Sequence, residues 1–199
     1  MMNEKGAHPE PGDFGPLADD VSQVLYTAAE IGERVREMGQ AISQDYNGRR
    51  PLLIGVLKGV FPFMADLLRA ITIPVQVDFM AIASYSRSTR QQGFVRLQKD
   101  LDEPLEGRHV LFVEDVIDTG LTLSYLLRSL RARGPASLEV CTLFDKPQRR
   151  LVPIPIRYKG FDLPEKFVVG YGLDYRELYR NLPFVGLLKA DVFSRDNGV

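Results

Sequence analysis

The chain has 199 residues, 45% of them apolar, with 25 basic against 26 acidic side chains and a formal net charge of -1. That length and apolar share fit one compact domain, or one domain with a small appendage, and the balanced charge without a basic tract argues against a protein that holds nucleic acid mainly through its phosphates. No run approaches the roughly 18 apolar residues of a membrane span, and the N-terminal MMNEKGAHPEPGDFGPLADD lacks the apolar segment of a secretory signal.

The Pro, Gly and acidic content of that opening stretch predicts a disordered arm over residues 1–18. Thr27 to Glu30, TAAE, has the form of a capping box, and Ile31, Val35, Met38 and Ile42 then recur at helical spacing to about Asp45. PLLIGVL, Pro51 to Leu57, is aliphatic and unalternated, as a buried parallel strand is. Phe63, Leu67 and Ala70 mark a helix behind it. In IPVQVDFMAIASY the residues Val75, Val77, Phe79, Ala81 and Ala83 alternate, which predicts a strand with Gln76 and Asp78 on its more exposed side.

Ser86 to Gly93, SRSTRQQG, is polar throughout, and FVRLQ after it can return as a short antiparallel strand. Together they predict a hairpin lid over about 85–98, since long polar loops in compact domains are often functional. HVLFV, LEVCTLF, KFVVGYG and FVGLL read as further strands, and Leu123, Leu126, Leu127 and Leu130 as the buried stripe of a helix. The expected fold is α/β, an open and mainly parallel sheet flanked by helices. The single cysteine, Cys141, falls within a strand and reads as a buried thiol in a reducing cytoplasm.

The chemistry concentrates in HVLFVEDVIDTGLTLSYLLRSL, His109 to Leu130. Glu114, Asp115 and Asp118 stand between an apolar strand and an apolar helix, where a buried acid is costly. Thr119, Gly120, Leu121 and Thr122 follow, a turn whose hydroxyls and free N–H groups suit an anion, with Asp118 placed as N-cap. Carboxylates repel phosphate but accept hydrogen bonds from a sugar diol or engage Mg²⁺. Acids followed by a phosphate cradle therefore suit a ribose 5-phosphate. A Walker-B-like strand end would also place Asp115 on Mg²⁺, but no P-loop is present. A receiver-type phosphoacceptor lacks its early acid pair, and a helix start whose acids merely complement the dipole is the plainest alternative.

VLFVEDVIDTGLT, Val110 to Thr122, closely resembles the phosphoribosyl diphosphate signature of type I phosphoribosyltransferases. Within them the chain is similar to the hypoxanthine-guanine phosphoribosyltransferase family, because GVLKG at Gly55, SY at Ser84, LFDKP at Leu143 and KFVVGYGLDYRELYRNLP at Lys166 agree in order and spacing. The resemblance covers about residues 20 to 195. It implies that fold with a small hood from about 145–199, and transfer of a phosphoribosyl group to N9 of hypoxanthine or guanine in purine salvage.

The resemblance further implies roles. Glu114 and Asp115 would hold the ribose hydroxyls, directly or through Mg²⁺. Asp118 would be the acid/base carboxylate near N7 of the purine, and Asp118 to Thr122 the 5′-phosphate loop. Lys58 and Gly59 match a pyrophosphate loop in which the family often has a non-proline cis peptide, and Arg180 matches a pyrophosphate-contacting arginine. Ser84 and Tyr85 match the start of the lid. Lys146 would donate to the purine O6, Phe167 would stack on the base, and Val168 and Asp174 would meet it through the backbone. The Asp174 side chain would help to hold Mg²⁺. The implied partners are phosphoribosyl diphosphate, a 6-oxopurine base and further copies of the chain in a homodimer or homotetramer, with neither nucleic acid nor membrane. Xanthine as the base, and a regulator that keeps the sugar site but binds nucleic acid, stand as rival readings.

Overall fold

The computed structural model describes residues 14–83 and 96–195. The chain divides into two compact units: Arg34–Glu165, and the segment through Glu33 together with the segment from Lys166. The lid residues Ser84 and Tyr85, like most of the arm, lie outside the described residues.

The larger unit is built on six strands: β2 (Leu52–Leu57), β3 (Gln76–Ala83), β4 (Arg96–Lys99), β5 (His109–Ile117), β6 (Ser137–Asp145) and β7 (Tyr158–Asp162). Their order is β4-β3-β2-β5-β6-β7, all parallel except that β4 runs antiparallel to β3. Leu52 to Ile54 and Val110 to Val113 are fully buried, which is why the central strands carry unbroken aliphatic runs. Helix α3 (Phe61–Ala70) buries Phe63 and Leu67, and α4 (Leu121–Arg131) buries Leu123, Leu126, Leu127 and Leu130 against Leu52, Ile54, Val110 and Phe112. Both helical stripes and the return strand at Arg96 agree with the sequence reading.

The chain leaves β2 for β3 on one side and then crosses to β5 on the other. Strand order therefore reverses between β2 and β5, and the carboxyl ends of parallel strands diverge at such a point and leave a crevice. The β2–β5 pairing runs from Leu52 opposite Val110 to Gly55 opposite Val113 and ends there. The next residues on each strand are the candidates for chemistry.

Helix α2 (Ala28–Asp45) begins in the smaller unit and continues into the larger. Its capping box is formed: Glu30 N–H donates to Thr27 Oγ1 and Thr27 N–H to Glu30 Oε2. Ile31, Val35, Met38 and Ile42 are buried as their spacing predicts.

Two features of β3 and β5 differ from expectation. Asp78 is buried, not on the exposed side of β3. Burial raises its pKa, but the N–H groups of Glu103, Phe79 and Asp102, with Lys99 nearby, outweigh that and hold the carboxyl below its usual range. A carboxylate supplied with that many donors can sit inside. Strand β5 also runs on to Ile117, because β6 continues to pair with it past the acids, Glu114 opposite Thr142 and Ile117 opposite Asp145. Glu114 and Asp115 thus lie within a strand, not beyond its end.

The smaller unit holds an antiparallel sheet ordered β1-β9-β8, from β1 (Val21–Tyr26), β8 (Val168–Val169) and β9 (Val185–Leu188). It draws on the N-terminal side of the chain and on residues from Lys166, whereas residues 145–165 of the expected 145–199 belong to the larger unit. Val169, Tyr179, Leu182, Phe184, Leu188 and Val192 form its core, with Phe14 and Leu17 packed against it. Residues 16–18 of the expected arm belong to a short helix, α1 (Pro16–Asp19), because Leu17 has that apolar surface to cover. A last helix, α5 (Ala190–Arg195), closes the described chain. Cys141 is buried within β6, and burial pushes its thiol pKa up, as expected of a core residue.

Candidate active site

At the switch point β2 ends in Leu57, and a cis peptide bond joins it to Lys58. Gly59 follows, and a Cβ placed there would meet Asp115 Oδ2 at 2.0 Å. Only glycine admits the carboxylate so close. Asp115 Oδ1 accepts the N–H of Val116. Gly59, next to Lys58, and Asp115 therefore lie side by side.

Glu114 and Asp118 line one open hollow of about 170 Å³ with Thr119, Gly120 and Thr122. Burial first, and then the neighbouring Asp115 charge, push the Glu114 carboxyl well above the normal glutamate range. Two adjacent acids at the edge of a core are unfavourable in the empty protein, and a hydroxyl donor or a cation relieves that cost.

The turn closes with Gly120 as N-cap of α4, at a left-handed φ of 82°. A Cβ there would also meet Val152 O at 2.8 Å. The expected side-chain cap by Asp118 is absent: α4 has no side-chain cap bond. Asp118 instead faces Arg149, whose Nε lies 2.9 Å from Asp118 Oδ1. Thr119 Oγ1 accepts Leu121 N–H at 3.4 Å. The first turn of α4, Leu121 to Leu123, carries N–H groups that cannot bond within the helix and carry its positive dipole end. Leu121 itself is exposed.

Lys146 follows β6, its N–H bonded to Ile117 O. Burial and Arg149 lower its pKa, while Asp118 acts to raise it. Lys146 thus lies close enough to Asp118 to feel its charge. Arg149 went unnoticed in the sequence. The only trace was its place in the DKPQRR run, three residues past the lysine.

The remaining candidates lie in the smaller unit. Phe167 is 46% exposed and is held edge-on by Tyr175 and Phe193, at 5.6 and 5.3 Å between ring centres. Val168 is buried in β8. Asp174 Oδ1 pairs with Arg180 at 2.8 Å, and its Oδ2 accepts Glu177 N–H. Arg180 also donates to Gly172 O. Tyr171, Arg176, Glu177 and Tyr179 all take left-handed φ values, between 47° and 73°. Non-glycine residues adopt these at a cost, and clusters of them mark functional loops.

Residues 22–176 match the family described as phosphoribosyl transferase domain. The chain is 49% identical over 179 residues to the hypoxanthine-guanine phosphoribosyltransferase of Streptococcus agalactiae serotype V, covering 90% of this chain and 99% of that protein. It belongs to the hypoxanthine-guanine phosphoribosyltransferase family. A second member, from Streptococcus pneumoniae strain R6, is 46% identical over 178 residues, 89% of this chain and 99% of its own. The crystal structure of the hypoxanthine phosphoribosyltransferase of Staphylococcus aureus in its tetragonal form superposes with a TM-score of 0.84 at 43% identity, covering 88% of this chain and 95% of that one. The fold and the family expected from the signature segments both stand.

Proposed function

We propose that this chain transfers the 5-phosphoribosyl group of phosphoribosyl diphosphate to N9 of hypoxanthine or guanine, giving IMP or GMP and pyrophosphate. One observation carries the reading: Glu114, Asp118 and the helix-opening turn Thr119 to Thr122 line one hollow beside the reversal of strand order. The sugar hydroxyls donate to Glu114 and Asp115. The 5′-phosphate takes N–H and O–H donors from Thr119 through Thr122. Backbone and charge at Lys58 and Gly59, with Arg180, receive the pyrophosphate. Phe167 stacks on the purine, Val168 and Asp174 meet its edge through the backbone, and Ser84 and Tyr85 begin the cover that keeps water from the reacting carbon.

Glu114 and Asp115 are adjacent hard oxygen donors, with Glu114 raised by burial and then by the Asp115 charge, which fits Mg²⁺; these two and Asp174 would hold it. When bound, Mg²⁺ supplies charge neutralisation of the leaving pyrophosphate. Asp118 accepts the proton from N7 as N9 bonds to carbon. Lys146 Nζ donates to O6. A 6-amino purine presents a donor there instead, so adenine is rejected. We place this activity in the cytoplasm, in a homodimer or homotetramer.

A coupled assay of hypoxanthine, guanine, xanthine, adenine and uracil with phosphoribosyl diphosphate, with and without Mg²⁺, tests the reading. Turnover of hypoxanthine or guanine that needs Mg²⁺ is expected. Turnover of adenine or uracil in preference to both would overturn it.

A further inference from the structure

We propose that Arg149 is a positioning residue for Asp118, holding a positive charge at the carboxylate while leaving Oδ1 free to accept a proton-bearing nitrogen of the base. The inference rests on the transfer reaction proposed above. Nε of Arg149 stands 2.9 Å from Oδ1 of Asp118. Yet that oxygen, itself buried, accepts no hydrogen bond among the described residues. The contact brings charge without using a lone pair. A buried acceptor without a donor is unfavourable, so such an atom is set to receive something.

The setting of Arg149 supports the same conclusion. It ends the short 3-10 turn Pro147–Arg149, directly after Lys146. That segment is stitched to the acid corner by three backbone bonds: Lys146 N–H to Ile117 O, and Leu151 and Val152 N–H to Thr119 O. A single rigid segment therefore carries both the O6 donor and the partner of Asp118. Fold stability does not explain the pair. Its side chains are 43% and 48% exposed, and ion pairs that open to water contribute little to stability. The backbone stitches hold the loop without it. What the pair fixes is the direction of the Asp118 carboxylate.

As N9 bonds to the anomeric carbon, the bond from that carbon to the pyrophosphate oxygen breaks. The N7 proton passes to Asp118, which becomes a neutral acid and later returns the proton to water. Arg149 touches neither the sugar nor the breaking bond.

The test is steady-state kinetics and thermal unfolding of the full chain with Arg149→Gln, Arg149→Lys, Asp118→Asn and the Arg149→Gln/Asp118→Asn double variant. Arg149→Gln should lower kcat about ten-fold, the loss expected for about 1.4 kcal/mol of transition-state stabilisation, with KM for phosphoribosyl diphosphate within about two-fold. Arg149→Lys should recover most of that loss, and both should melt within about 2 °C of the unaltered chain. In the Asp118→Asn background Arg149→Gln should change kcat by less than about two-fold, since residues acting as a unit are not additive. Unchanged kcat in Arg149→Gln, or a full ten-fold loss in the Asp118→Asn background, would overturn the proposal while leaving the transferase reading intact. If Arg149→Gln does not fold, a loss of about ten-fold or more from Arg149→Lys that persists in full in the Asp118→Asn background would overturn it in the same way. An unaltered protein inactive on every base would overturn the transferase reading, and this proposal with it.

Discussion

Glu114 shows how a functional group is held against its own preference. Its folded pKa lies above the ordinary value, through burial and then through Asp115. Between those two values the native state holds more protons than the unfolded state. Stability therefore falls as pH rises through that window, and the loss is complete above the raised value. Glu114→Gln stays neutral at every pH. It should melt about 2–4 °C higher than the unaltered chain at pH 8, the shift that about 1 kcal/mol produces in a chain of this size, and this gain should vanish near pH 4.5. Calorimetry at the two pH values checks it; a gain of equal size at both would contradict the burial argument. The same variant should bind phosphoribosyl diphosphate about ten-fold more weakly, because a charged acceptor is lost. Lys146→Ala removes the proposed donor to O6 and should narrow the kcat/KM ratio between hypoxanthine and adenine by about ten-fold or more; an unchanged ratio would remove Lys146 from base selection. Both residues were legible because acid pairs and a lysine after a strand are written locally. Arg149 was not, since only the folded loop shows which carboxylate an arginine meets.

At the scale of elements, strands buried on both sides and helices with a clean stripe were readable from their residues alone. The edge strands were not. VSQVLY in β1 and YKGFD in β7 carry polar residues and a glycine, and their pairing with β9 and β6 is supplied by distant chain. Asp78 was assigned to the wrong side of its strand for a similar reason: its donors come from residues 102 and 103. The length of β5 past the acids was hidden too, because β6 dictates it. Helix α2 allows two opposed local rules to be weighed. Gly39 lies in its interior, where alanine is favoured by about 1 kcal/mol. A Cβ there would stand 2.5 Å from Ala70 Cβ and 2.7 Å from the Ala70 carbonyl carbon. Backbone cannot yield as a flexible side-chain end does, so overpacking, at about 1–3 kcal/mol, should prevail. Gly39→Ala should lower the melting temperature by about 2–4 °C; a rise would show that α2 and α3 move apart freely.

For the whole molecule, the sequence made the parallel sheet and its acid corner visible but not the division of the chain. The smaller unit is assembled from both ends: Val21 pairs with Leu188 and Val24 with Gly186. Phe14, Leu17, Val21 and Val24 cover the cluster around Phe184 and Leu188. No local pattern announces a pairing that distant in sequence, and a hood drawn from the C-terminal residues alone misses it. The consequence is that the N-terminal segment is part of the fold of the unit that carries Phe167, Val168, Asp174 and Arg180. Removing residues through Tyr26 strips β1 from the sheet, bares one edge of β9 and uncovers several apolar side chains, each worth about 1.5–3 kcal/mol when fully buried. Against a total stability of about 5–15 kcal/mol for an ordinary domain, that loss is large. The shortened chain should show a lower melting temperature by about 5 °C or more, or fail to stay soluble, and its KM for hypoxanthine should rise, because Phe167, proposed to stack on the base, belongs to the damaged unit. A shortened chain with unaltered melting and unaltered KM would mean that β9 is held well enough by β8 alone and that the N-terminal strand is dispensable to the hood.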